Sequence, residues 1–148
     1  MSSLVTTAKS FFANTVLMVR PAAFGFNEET AASNSFQHEI NGSREQILEL
    51  AIHEFDRVVN QLRANEIHVH VVEDTLVPTK PDAVFPNNWI SFHENGDIAL
   101  FPMFAENRRL ERREDILDIL EEKGFVIENI MDYTSAEEDD FFLEGTGS

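Results

Sequence analysis

Residues 88–130 read NWISFHENGDIALFPMFAENRRLERREDILDILEEKGFVIENI, and their punctuation decides the fold. Asn88 to Phe92 reads as a strand. Glu94-Asn95-Gly96-Asp97 supplies a hairpin turn, because Asn-Gly accepts the positive φ that tight turns demand. DIALFPMF (97–104) returns as the partner strand. Asn107 is placed to cap a helix over 108–123, with Leu110, Ile116, Leu117 and Leu120 facing inward. Gly124 falls where a helix takes its C′ glycine, and FVIENI (125–130) reads as the next strand. The order is a ββαβ module, which makes the fold class α/β.

The upstream half repeats this vocabulary loosely. TVLMV (15–19) reads as a buried strand ended by Arg20-Pro21. Residues 21–42 show no sustained period and read as a long loop. Ser43 and Gln46 then form a capping box, and Ile47, Leu48, Ala51, Ile52, Phe55, Val58, Val59 and Leu62 line one face of a helix over 44–64. Asn65 is its expected C-cap, IHVHVV (67–72) a strand, and Pro78 and Pro81 break the chain beyond it. Downstream, 132–140 reads as an acidic loop and 141–145 as one more strand. That last strand has no following unit. The chain, 1–148, is therefore read as the N-terminal portion of a single larger α/β domain, with an exposed sheet edge that predicts homo-oligomers.

Composition narrows the function. At 43% hydrophobic and 26% charged residues the chain is globular. A net charge of −16 disfavours nucleic acid and anionic membranes. No apolar run approaches a membrane span and no signal-peptide cleavage site is evident, so the expected location is the cytoplasm. With no cysteine, disulfides, thiolate metal sites and a cysteine nucleophile are excluded within these residues. Phosphate-binding glycine loops and a Gly-x-Ser-x-Gly elbow are also absent.

Two short stretches concentrate candidate chemistry. Asp82, Asn87 and Asn88 put one acid and two amides beside the only tryptophan. An acid at a strand mouth suits a cationic or amide-bearing ligand, and amides offer donors and acceptors; the same residue types also populate plain turns. Glu144 is the only charge in FFLEGTG (141–147), at a strand end or at a solvated terminus. His68 and His70 share a strand face, but no further ligands are identifiable, so no metal is assigned. Arg20 is read either as a carboxylate binder or as half of a structural ion pair. Arg108, Arg109, Arg112 and Arg113, interleaved with Glu106, Glu111, Glu114 and Asp115, read as a salt-bridged surface, and 137–140 as a solvated loop.

Three stretches, VLMVRPAAFGFNEETAASNSFQ (16–37), PDAVFPNNWISFHENGDIALFPMFAENRRLERR (81–113) and FFLEGTGS (141–148), together resemble the guanidine-modifying enzyme superfamily. Arginine deiminase, dimethylarginine dimethylaminohydrolase and the amidinotransferases are members, and the bacterial citrulline hydrolase-like branch is the nearest likeness. The resemblance implies a pentein fold, a five-bladed α/β-propeller of ββαβ modules, with about two blades and the start of a third in this chain. It implies a Cys nucleophile, a His acid/base and no cofactor. It makes Asp82 a substrate contact, and Asn88 the occupant of a position where arginine-processing relatives carry a second acid, with Asn87 beside it. Glu144 would hold a substrate nitrogen and orient the catalytic His, although the turn here reads Glu-Gly-Thr-Gly and lacks the family's later Asp. Phe24 and Asn27 would lie in a loop that closes over substrate, and Arg20 would hold its carboxylate.

The amide at Asn88 points to a neutral ureido substrate, because an unpaired carboxylate beside such a group is costly. The expected function is the N-terminal half of a cysteine-dependent hydrolase for the ureido or guanidino group of an amino acid, citrulline before arginine or methylarginine. A non-catalytic binding module for such amino acids, an amidinotransferase and an assembly subunit are the alternatives. None of the five histidines follows Glu144, so neither Cys nor catalytic His lies within the chain.

Overall fold

The structure is a computed structural model and describes residues 13–31 and 41–144. Nine elements carry it. They are β1 (Thr15–Arg20), α1 (Glu28–Ala31), α2 (Arg44–Ala64), β2 (His68–Glu73), β3 (Ile90–Phe92), β4 (Asp97–Leu100), α3 (Glu106–Arg109), α4 (Asp115–Glu122) and β5 (Asn129–Asp132). A 3-10 turn at Pro86–Asn88 and another at Thr134–Asp139 complete them. The fold is mixed α/β with two small sheets.

In the first sheet β1 and β2 are parallel, with Thr15 opposite His68 and Arg20 opposite Glu73, joined through α2. The second has the order β3-β4-β5, antiparallel then parallel, so the strand order and hairpin expected within 88–130 are observed with other bounds: β3 starts at Ile90 rather than Asn88, β4 ends at Leu100 rather than Phe104, and β5 is Asn129–Asp132 rather than 125–130. The capping box of α2 is formed in both directions: Gln46 N–H donates to Ser43 Oγ at 3.3 Å, and Ser43 N–H to Gln46 Oε1 at 3.0 Å. Phe55 and Val59 of α2 pack on Val69 of β2, and this is a small core of its own. The larger core joins Val19, Val72, Ala83, Trp89, Ile90, Ile98, Met103, Ile116 and Leu120.

Gly96 is required twice over. Its φ is +84°, and an added Cβ would stand 3.0 Å from the Val126 carbonyl oxygen and 2.8 Å from Glu128 Cγ. The turn thus brings β4 against the chain entering β5.

Three further expectations differ from the structure. The helix expected over 108–123 is split into α3 and α4, because Arg109 at the end of α3 and Arg113 in the turn after it have tertiary partners that a continuous helix would move. Arg109 Nε donates to Met103 O at 2.9 Å, and Arg113 Nη1 to Glu73 O at 2.7 Å. Asn107 does not cap α3; the N-cap is Ala105 and the Asn107 amide is engaged with Asn27. Residues 141–144 are not strand. Leu143 N–H donates to Pro102 O at 3.1 Å, and the Phe142 ring stands edge-on to Phe104. The rest of the strand expected there, and the Gly-Thr-Gly after Glu144, lie outside the described residues.

Candidate functional site

The site starts from a buried ion pair. Lys80 Nζ lies 3.1 Å from Asp74 Oδ1, and both side chains are withdrawn from solvent. The ammonium also donates to Thr75 Oγ1 at 2.6 Å, Thr75 O at 3.2 Å and Pro78 O at 3.0 Å, using its three protons on the loop that leads from β2. Two residues on, Asp82 begins a tight path: Phe85 N–H donates to Asp82 O at 3.0 Å and Asn88 N–H to Phe85 O at 3.1 Å. Ala83 and Trp89, both in the core, pin the two ends of this path. The apolar Ala and Trp thus fix where the polar Asp82 and Asn88 emerge.

Asp82, Asn88 and Glu144 converge on one group, the Arg108 guanidinium. Its Nη2 donates to Asn88 Oδ1 at 3.2 Å, its Nη1 to Glu144 Oε2 at 3.5 Å, and its Nε lies 3.8 Å from Asp82 Oδ2. Its principal partner is Glu111, one turn along, through a fork of Nε to Oε1 at 3.0 Å and Nη2 to Oε2 at 3.1 Å. Arg108 and Glu111 are both buried. Burial pushes the Glu111 carboxyl up to about 7, against the opposing pull of Arg108. Removing one partner of such a pair typically costs about 3–5 kcal/mol.

The other predicted residues fall in different places. Asn27 is buried behind Asp82: its Nδ2 donates to Asp82 Oδ2 at 2.6 Å, and its Oδ1 accepts from Asn107 Nδ2 at 2.7 Å. It supports the acid from behind. Asn87 is exposed on the 3-10 turn, and Phe24 is half-buried in the β1–α1 loop. Arg20 forks onto Asp56 of α2 at 2.8 and 2.9 Å and reaches Glu73 at 3.5 Å, which realises the ion-pair alternative.

Sequence reasoning missed Arg108 and Glu111, which it read as surface. The charge alternation of 106–115 carried no sign of burial; the one available signal was that this run follows the apolar FPMFA (101–105) directly. Glu137, read as part of a solvated loop, instead accepts from Met103 N–H at 2.7 Å and pairs with Arg112 and Arg109. Arg112 and that backbone bond hold its carboxyl below the usual range against the opposing effect of burial. His68 is exposed and His70 lies edge-on to Phe125 at 5.2 Å. Among the described residues no three His, Asp or Glu group into a metal site, and no helix is long and apolar enough to cross a membrane.

A family model described as N,N dimethylarginine dimethylhydrolase, eukaryotic, matches residues 20–148. The chain belongs to this dimethylarginine dimethylhydrolase family. Neither a curated protein nor a solved structure matches it. The match spans Asp82, Asn88, Arg108, Glu111 and Glu144, so the whole cluster lies inside the part shared with the dimethylarginine hydrolases. It supports the guanidine-modifying superfamily through its methylarginine-hydrolase branch.

Proposed function

We propose that this chain is the part of a methylarginine hydrolase that receives the substrate's guanidinium, through Asp82 and Glu144. The observation that carries the reading is the meeting of Asp82, Asn88 and Glu144, each named from sequence as a substrate contact, around one guanidinium group. Asp82 and Glu144 stand beside the single cation of Arg108, which Glu111 already engages. Such a surplus of acid favours a cationic methylarginine over neutral citrulline. Asn88, the reason to expect citrulline, has its amide oxygen turned to Arg108, so its neutrality is accounted for within the protein.

In this reading a cysteine thiolate attacks the guanidinium carbon, a protonated methylamine departs, and water releases the ureido product from the sulfur. Asp82 and Glu144 hold nitrogens of the guanidinium and fix its plane toward the nucleophile. The nucleophile comes from outside these 148 residues, which contain no cysteine. The β3-β4-α4-β5 unit is one ββαβ blade of a five-bladed propeller.

Isothermal calorimetry tests the reading with dimethylarginine, arginine and citrulline. Dimethylarginine is expected to bind at least tenfold more tightly than citrulline. Citrulline binding as tightly, or no binding of dimethylarginine at millimolar concentration, would contradict it.

A further inference from the structure

Between β2 and Asp82 the chain is inverted, with its apolar side chains outside and its charges inside. Leu76 is 75% and Val77 84% exposed, whereas Lys80 is 1% exposed. Residues 75–79 belong to neither core, and among the described residues none of them makes a backbone–backbone hydrogen bond. Neither apolar packing nor a backbone ladder holds this loop.

One ammonium gathers it. Lys80 Nζ donates to Thr75 Oγ1 at 2.6 Å, Pro78 O at 3.0 Å and Thr75 O at 3.2 Å, which uses its three protons. Asp74 Oδ1 stands 3.1 Å from the same nitrogen, yet neither Asp74 oxygen accepts a hydrogen bond among the described residues, so this carboxylate acts as a counter-charge. Three neutral oxygens and one carboxylate form the kind of donor set that hard cations take. Here the chain supplies the cation itself.

Only Pro81 separates this cage from Asp82, and its ring fixes the backbone φ between them. Ala83, buried in the core, donates its N–H to Lys80 O at 3.4 Å. Lys80 and Ala83 therefore bracket Asp82, and a displacement of the ammonium would move the acid. Resting on the methylarginine reading above, we infer that Lys80 is a positioning residue for substrate recognition: its ammonium is an internal cation that templates the 74–80 loop and so sets where Asp82 meets the ligand's guanidinium.

Three variants of the 148-residue chain test this. Lys80→Met keeps the apolar stem and removes the ammonium. By calorimetry, at a temperature where circular dichroism shows it folded, its affinity for dimethylarginine should fall about tenfold. Adding Asp74→Leu removes the buried charge left behind. That double variant should regain several degrees of thermal midpoint without regaining affinity, because the Thr75 and Pro78 carbonyls still lack their shared donor. Lys80→Ala empties the cage. Methylammonium chloride should raise its thermal midpoint by several degrees more than tetramethylammonium chloride, which cannot donate, at equal ionic strength. The wild type should respond equally to the two salts. If either single variant does not fold, the double variant decides alone. Wild-type affinity in any folded variant without the ammonium, or affinity that returns together with stability in the double variant, overturns the positioning role. An equal response of Lys80→Ala to the two salts overturns the cage. Failure of the wild type itself to bind dimethylarginine overturns the substrate reading instead, and leaves the salt comparison as the test of the cage.

Discussion

Glu111 shows how one buried group sets a pH dependence. Its carboxyl is pushed up to about 7 from an ordinary 4.5. Between those values the folded state binds the extra proton, so the stability this group contributes is complete below pH 4.5 and is lost as pH rises through 7. From pH 5 to 8 the wild type should lose on the order of 2 kcal/mol from this group. Glu111→Gln should flatten that slope while lowering overall stability; denaturant melts at several pH values measure both. His70, held low by burial, contributes in the opposite sense below its ordinary 6.5. Asp56, Asp97 and Glu137, all held low, add losses only under more acid conditions. Lys80 gives a second prediction at this scale. Its ammonium supports the loop that ends in Asp82, and Lys80→Ala should cost about 3 kcal/mol by leaving the buried Asp74 with only the longer 3.9 Å pair to Arg113. Asp82, Asn88 and Glu144 drew attention in the sequence because acid and amide residues stand out against apolar neighbours, and the structure brings all three to Arg108. Arg108, Glu111 and Lys80 did not, because their side chains are charged like the surface and are buried by contacts from distant segments.

Among the elements, legibility followed local physics. Helix α2 carries its own capping box and apolar stripe, and the Asn-Gly hairpin its own positive φ, so both emerged where the sequence placed them. Ser43→Ala should lower stability by about 1 kcal/mol in a thermal melt, by removing the acceptor for Gln46 N–H. Gly96→Ala should cost more, about 2 kcal/mol, because the Val126 carbonyl near the added Cβ is backbone and cannot rotate away. The region from 101 to 114 escaped local reading. Its arginines bond to Phe101 O, Met103 O, Phe104 O and Glu73 O, and those tertiary bonds break the helix that periodicity alone would extend. The same break turns Arg108 inward to the cluster while Arg113 reaches β2.

For the whole molecule, the net charge of −16 predicts that stability rises with ionic strength: from 0.05 to 0.5 M salt the thermal midpoint should increase by several degrees as repulsion is screened. The candidate site is also a property of the whole described chain. Asn27, Asp82, Asn88, Arg108 and Glu144 come from separate loops and turns, and no period or propensity within one segment could bring them together. The family resemblance supplied what local patterns could not, and the family match supports its methylarginine hydrolases without confirming the citrulline branch. A double-mutant cycle tests the central claim, that Asp82 and Glu144 serve one cationic ligand, most directly. Dimethylarginine affinity would be measured by calorimetry for the wild type, Asp82→Asn, Glu144→Gln and the double variant. Each single change is predicted to weaken binding about tenfold, and the double change by clearly less than the product, because the two acids act on one group. Independent, multiplicative losses, or no loss in either single variant, would contradict a shared guanidinium site.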